Sequence, residues 1–184
     1  MKRPPRGARF ETTPMKKVEF LQAVLGRLND DVGTILQLIE EHNKNSDRKI
    51  GFWASLRMIM PIVEAVSHVV GESPQNFLGN QLGFTTPHLA WDLFRHSLMH
   101  GDYLQHGRYQ SKDVSWGVLM IGQGHIIASE HIGIDVVSLY QDLKKYLEDE
   151  VIKNDQTVVN IEVGVVYTIP RQEIINIIND FSKL

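Results

Sequence analysis

The segment Arg95-His96-Ser97-Leu98-Met99-His100 combines two kinds of side chain that can perform acid–base chemistry next to an anion. Histidine can gain or lose a proton near neutral pH. Arginine stays charged and can form a forked pair of hydrogen bonds with a phosphate. Together they supply a general acid or base and a group that stabilises negative charge, which cleavage of a phosphodiester requires. This chemistry needs no metal when the nucleophile is the 2′-hydroxyl of RNA itself.

A predicted helix over residues 87–100 carries this segment in its last two turns. At about 100° per residue, His96 and His100 share one face of the helix and Arg95 lies off that face. The helix is apolar around most of its circumference, so we expect it to be largely buried. Buried ionisable groups need either partners or a chemical task.

Two other interpretations of the segment stay open. An arginine and two histidines near the end of a helix can cap its last carbonyl groups and favour its dipole. His96 and His100, four residues apart, could instead bind a metal from one helix face and so form a metal-dependent hydrolase. Candidates for a third ligand are His88, His106, His125, His131 and Asp102. The segment lacks the glutamate of the metalloprotease motif and the chain has no cysteine, so we predict no metal and no cofactor.

The composition predicts one globular domain of ordinary size. The chain has 184 residues, of which 42% are hydrophobic, and a formal net charge of −3. Such a charge excludes a surface that is basic all over, so any contact with nucleic acid must come from a local patch. No apolar run reaches the roughly 18 residues needed to span a bilayer, and the N-terminus lacks the apolar stretch of a secretory signal. We therefore predict a cytoplasmic protein with no membrane partner.

Apolar residues recur at helical spacing through the first part of the chain, behind a flexible basic arm predicted over residues 1–14. Helices are predicted over about 15–42, 50–70, 74–82 and 87–100. The first is either one helix or two with a break near Asn29-Asp30-Asp31, and Pro61 should kink or divide the second.

The pattern changes after Asp113, where short β-branched runs and glycines replace the helical spacing. We predict a β-hairpin over about 114–129, a helix over 136–152, a strand over 158–167 and a last helix from residue 170. Gly122-Gln123-Gly124 is interpreted as the hairpin turn, because the sequence patterns of phosphate-binding loops are missing. The predicted class is mostly α, helical over 15–110 and mixed α/β over 111–184, with a small hairpin or few-stranded sheet in the C-terminal half.

The run from Arg95 to Gly101 resembles the Arg-x4-6-His motif of HEPN (higher eukaryotes and prokaryotes nucleotide-binding) domains. The family commonly places a polar residue directly after the arginine, and His96 matches this preference. The family motif lies near the end of a helix in an all-α bundle, as predicted for residues 87–100, and the broader run 52–103 is also similar. The resemblance covers about residues 52–103, and the N-terminal arm and the region after Asp113 do not share it. We predict that residues 15–184 form a single HEPN-like domain.

Many HEPN proteins are metal-independent endoribonucleases of toxin–antitoxin, phage-defence or RNA-processing systems, and they work as dimers with both motifs facing one cleft. By resemblance, His100 activates the 2′-hydroxyl or protonates the leaving group, Arg95 stabilises the phosphorane charge, and His96 orients or assists. The products are a 2′,3′-cyclic phosphate and a 5′-hydroxyl. The implied partners are RNA or a nucleotide, a second copy of the chain and a cognate antitoxin.

Other family members are non-catalytic binding or scaffold modules, and this remains the alternative to an enzyme. One departure concerns regulation. A toxin branch carries a tyrosine for adenylylation two residues after the motif histidine, but here Asp102 occupies that place and Tyr103 follows it. Regulation by that route is therefore in doubt.

Overall fold

The computed structural model describes residues 11–47, 50–95, 106–109, 111–128 and 132–163. The described part is mostly helical and contains two small sheets. This confirms the predicted mostly α class with a few strands in the C-terminal half, but residues 106–109 form a strand inside the range 15–110 that was predicted to be helical. The chain divides into two compact units, residues 16–158 and residues 1–15 with 159–184.

Helices make up most of the larger unit. They are α1 (Lys17–Arg27), α2 (Thr34–Asn45), α3 (Phe52–Val69), α4 (Pro74–Asn80), α5 (Pro87–Ala90) and α6 (Val136–Lys153). Two π-helical segments extend them, Leu28–Gly33 between α1 and α2 and Trp91–Arg95 after α5. The predictions for 50–70, 74–82 and 136–152 are confirmed to within two residues at each end.

The first predicted helix is continuous through the region where a break was considered. Leu28–Gly33 widens into a π-helical turn and α2 follows without a gap. Gly33 lies against the side chain of Tyr140, and a Cβ atom at position 33 would come within 2.6 Å of the phenolic oxygen. The glycine therefore permits close packing of this turn against α6, which the sequence pattern did not reveal.

Helix α3 passes through Pro61 without being divided, so of the two expected effects, a kink or a division, the division does not occur. The loop after it turns at Gly71, whose φ is 78°. Helix α4 begins as its sequence predicts: the hydroxyl oxygen of Ser73 accepts a hydrogen bond of 3.2 Å from the backbone N–H of Asn76, and Pro74 occupies the first turn. Both features satisfy or remove N–H groups that a helix start leaves unpaired.

The larger unit also contains a four-stranded sheet of order β2-β3-β5-β4. Its strands are β2 (His106–Tyr109), β3 (Lys112–Leu119), β4 (Ile126–Ala128) and β5 (Ile132–Asp135). Strand β5 pairs in parallel with β3 and antiparallel with β4.

The predicted hairpin over 114–129 is therefore wrong, because β5 lies between its two arms. Pairing β3 with β5 places Val118 opposite Ile134, and both side chains are buried. Apolar runs indicate that strands exist, but they do not specify which strands pair. Packing of Ile134 against β3 thus determines which strands pair, although the turn at residues 122–124 had suggested a hairpin.

The core of the larger unit is one cluster that joins the helices to the sheet. Its fully buried side chains include Leu21 of α1, Ile59 and Val63 of α3, and Leu139 and Leu143 of α6. Each such side chain contributes roughly 1.5–3 kcal/mol when it is removed from water. The core therefore fixes α3 and α6 as the rigid frame on which the other elements are placed.

Charged groups join the start of α1 to the end of α6. The ammonium of Lys17 lies 3.4 Å from Glu150 and 3.2 Å from Asp155. The pKa of Asp155 is lowered to about 2, chiefly by hydrogen bonds from the side chain and backbone of Thr157 and then by Lys17. This carboxylate therefore stays ionised well into the acid range.

Strands β1 (Glu11–Lys16) and β6 (Val158–Val163) form a two-stranded sheet. The flexible arm predicted over residues 1–14 is therefore wrong for residues 11–14, which belong to strand β1. Two β-branched threonines favour extended backbone there. The rest of the arm, residues 164–167 of the predicted last strand, and the predicted helix from 170 lie outside the described residues.

In the described ranges, no helix is by itself both long enough and apolar enough to cross a bilayer. Helices α3 and α4 reach that length and composition only as a pair, and the chain bends by 92° between them.

Candidate functional site

Arg95 is the one predicted site residue that the structure describes, while His96 and His100 lie outside the described residues. Thr86 and Pro87 begin the motif helix as predicted, and the π-helical segment carries it to Arg95. Phe94 is fully buried. Ala90 and Leu93 are buried as well, but His88 and Asp92 are exposed. The described part of the helix is thus buried on one face, and the prediction of a largely buried helix is confirmed only for that face.

The guanidinium of Arg95 forms an ion pair with Glu64 on α3. Its Nη2 donates a hydrogen bond of 2.9 Å to Oε2 of Glu64. The two side chains are 21% and 35% exposed, so water screens the pair only partly. The contact therefore joins the motif segment to a core helix, rather than capping a carbonyl of its own helix.

Two further features surround the same guanidinium. Its central carbon lies 5.8 Å from the ring centroid of Trp91, within the range of a cation–π contact. Its Nε is buried and has no hydrogen-bond acceptor in the described part of the chain. An unmatched buried donor costs about 1–3 kcal/mol. Arg95 is therefore held firmly while one of its donors remains unused.

Sequence reasoning missed Glu64, although the sequence contained a signal for it. Glu64 is the single acidic residue of the apolar helix Phe52–Val69. A carboxylate on such a helix needs a partner, because its burial without one is costly. Glu64 holds the guanidinium of Arg95 in place, and that guanidinium is the cation that could stabilise negative charge, although the carboxylate offsets part of its charge.

The metal alternative gains no support from the described histidines. No three histidine, aspartate or glutamate side chains come together in the described ranges in a way that could hold a metal. His125, a candidate third ligand, instead places its Nε2 2.5 Å from a carboxylate oxygen of Asp142. Its ring stacks on Phe84 at a centroid distance of 4.1 Å. His131 and Asp102 lie outside the described residues.

The turn Gly122-Gln123-Gly124 binds a carboxylate of the chain itself. The backbone N–H groups of Ile121, Gly122 and Gln123 donate to one oxygen of Asp135, at 3.2, 2.7 and 3.2 Å. Asp135 is fully buried and its other oxygen caps the start of α6. These three amides would suit a phosphate, but Asp135 occupies them, so the turn is structural.

A cavity of about 460 Å³ opens between the start of α3 and strand β3. Residues 50–54, Gly117 and Val118 line it. Trp53 links this wall to the motif segment, because its ring lies 6.3 Å from that of Phe94. The lining side chains belong to apolar residues, none of them ionisable, and backbone groups contribute polar surface.

A comparison of the chain with protein-family models, with curated proteins and with solved structures finds no match.

Proposed function

We propose that this chain is a HEPN-like, metal-independent endoribonuclease that cleaves RNA through attack of its own 2′-hydroxyl. The proposal assigns catalysis to Arg95, His96 and His100. The observation that supports it best is the state of Arg95: Glu64 and Trp91 hold its guanidinium, while its buried Nε has no acceptor. Arginines that only stabilise a fold have their buried donors matched as a rule.

In this proposal each residue performs one part of the reaction. His100 takes the proton of the 2′-hydroxyl or delivers one to the leaving 5′-oxygen. Arg95 stabilises the charge that develops on the phosphorane. His96 orients or assists. The bond between phosphorus and the 5′-oxygen breaks as the 2′-oxygen attacks, which leaves a 2′,3′-cyclic phosphate and a 5′-hydroxyl.

The proposal includes two copies of the chain in a HEPN-like helical bundle, with both motifs facing one cleft. It also places the protein in the cytoplasm, as a component of a toxin–antitoxin or defence system with a cognate antitoxin as partner. The dimer, the toxin or defence role and the antitoxin come from the resemblance of residues 95–101 to the family motif, whereas the cytoplasmic location comes from the hydropathy pattern of the sequence.

Single substitutions at the motif test the proposal. We expect His100→Ala to lower RNA cleavage by about 10²–10⁴-fold and Arg95→Ala by about 10²–10³-fold, with both proteins folded. His42 and Arg27 lie on exposed surfaces of α2 and α1, so His42→Ala and Arg27→Ala are the matched controls. Undiminished cleavage by the His100 variant in chelator-containing buffer would exclude the assigned role.

A non-catalytic RNA-binding or scaffold module is the second candidate. The ion pair between Arg95 and Glu64 favours it, because the pair also joins the motif segment to α3 without any reaction. This candidate predicts dimers that bind RNA or nucleotide without cleaving it. Arg95→Ala would then change only binding or the free energy of unfolding, which calorimetry and chemical denaturation measure.

A further inference from the structure

We infer that Glu64 is a positioning residue of the proposed RNA site, which holds the guanidinium of Arg95 where it meets the scissile phosphate. The inference depends on the proposed function. It assigns a role to a residue on α3, outside the Arg-x4-6-His motif, and the sequence of the motif does not indicate it.

The neighbours of Arg95 hold its guanidinium with one buried donor unmatched. Its Nε is buried without an acceptor in the described residues, an arrangement that the stability of the side chain alone does not favour. The contact from Nη2 to Glu64 at 2.9 Å and the ring of Trp91 at 5.8 Å keep the guanidinium there. An unmatched buried donor in a folded protein calls for an explanation, and a role at a functional site is one such explanation.

The helix that carries Glu64 is anchored in the core. Helix α3 contributes Ile59, Met60 and Val63 to the core, and all three are fully buried. Glu64 follows directly in the chain, so its backbone is fixed by the core. A carboxylate on a rigid helix restrains an arginine more tightly than a carboxylate on a loop does.

Glu64 also changes the net charge beside Arg95. The carboxylate of Glu64 offsets the positive charge of Arg95 while the site is empty, so it opposes binding of an anion even as it orients the guanidinium. When the carboxylate is neutralised, kcat should therefore fall because Arg95 is misplaced, while the affinity for RNA should stay equal or rise because a repelling charge is gone. A residue with only a structural role would not separate them.

The test is Glu64→Gln in the full chain, which keeps the size of the side chain and removes its charge. We expect kcat for cleavage of single-stranded RNA to fall by about 10- to 100-fold, as for a misplaced catalytic group. We expect the Kd for an RNA made uncleavable by 2′-deoxy substitution to stay equal or become lower. Glu41→Gln, at an exposed position of α2, is the matched control and should behave as the wild type.

A double substitution examines whether Glu64 acts through Arg95. If it does, Glu64→Gln causes no further loss of kcat in the Arg95→Ala background, because the group it positions is gone. Glu64→Ala is measured alongside, with chemical denaturation to verify that each variant is folded.

Three outcomes overturn the inference. The first is a kcat for Glu64→Gln within threefold of the wild type while His100→Ala is inactive, which leaves the proposed function intact. The second is loss of kcat together with weaker RNA binding, or additive losses in the double variant. The third is absence of cleavage by the wild type, which overturns the proposed function as well.

Discussion

Replacing Asp135 by alanine should destabilise the larger unit strongly, although the residue performs no chemistry in the proposed reaction. Its carboxylate is fully buried and accepts five backbone hydrogen bonds. Three come from the turn at residues 121–123, and two come from Val137 and Ser138 in the first turn of α6. One side chain thus fixes the turn and the helix start together.

The expected magnitude follows from these two sets of bonds. Loss of the helix cap costs about 1 kcal/mol. Bonds to a charged acceptor contribute about 1.5–3 kcal/mol each, but residues 121–123 are exposed, so water replaces part of that contribution. We therefore expect Asp135→Ala to lower the free energy of unfolding by about 3–5 kcal/mol. Asp135→Asn keeps one acceptor oxygen and should cost about half as much.

Urea denaturation of the full chain, followed by circular dichroism, measures this change. With a slope of about 2 kcal/mol per molar urea, the midpoint of Asp135→Ala should fall by about 1.5–2.5 M. Asp149→Ala, an exposed position on the same helix, is the control and should leave the midpoint unchanged. A midpoint for Asp135→Ala within about 0.5 M of the wild type would refute the reasoning.

Three smaller predictions use the same denaturation assay. Gly26→Ala should raise the free energy of unfolding by about 0.5–1 kcal/mol, because helix α1 has open space there. Gly33→Ala should not show this gain, because its new methyl group meets Tyr140, and it should be less stable than Gly26→Ala by about 1–2 kcal/mol. Ser73→Ala removes the cap of α4 and should cost about 1 kcal/mol. Asp155 has a pKa lowered to about 2 in the folded chain, so its contribution is complete above the unfolded pKa of about 4 and is lost as the pH falls towards 2. The drop in stability between pH 5 and pH 2 should therefore be smaller for Asp155→Asn than for the wild type, and equal drops would contradict the assignment.

The helices of the larger unit could be predicted because their signals are local. Apolar spacing located α3 and α6, and Ser73-Pro74 and Thr86-Pro87 marked two helix starts that the structure contains. The π-helical turns were not predictable, since their sequences also satisfy the spacing of an α-helix.

Strand pairing was not predictable from the same local signals. The glycines at 122 and 124 suggested a hairpin turn, but the turn folds around the carboxylate of Asp135, which lies more than ten residues along the chain. Only the position of β5 beside β3 brings that carboxylate into the turn. Such contacts depend on the tertiary arrangement, and no spacing rule encodes them.

The sequence predicted the chemical type of the candidate site, but it did not reveal the residue that pairs with Arg95. Residue types and spacing identified Arg95 as a charged group on a buried helix, and the structure shows that helix packed into the core as far as Phe94. Glu64 lies 31 positions earlier in the chain, so its pairing with Arg95 depends on how α3 packs against the motif segment. The single acid on an apolar helix was the available signal.

The chemistry of the cleaved ends tests the central claim most directly. The purified chain is incubated with end-labelled single-stranded RNA in the presence of EDTA, and the new ends are identified by mass spectrometry. The account predicts 2′,3′-cyclic phosphates and 5′-hydroxyls, and no cleavage at a nucleotide that lacks its 2′-hydroxyl. Products with 3′-hydroxyl and 5′-phosphate ends, or intact RNA under all conditions in which the chain is folded, would contradict it.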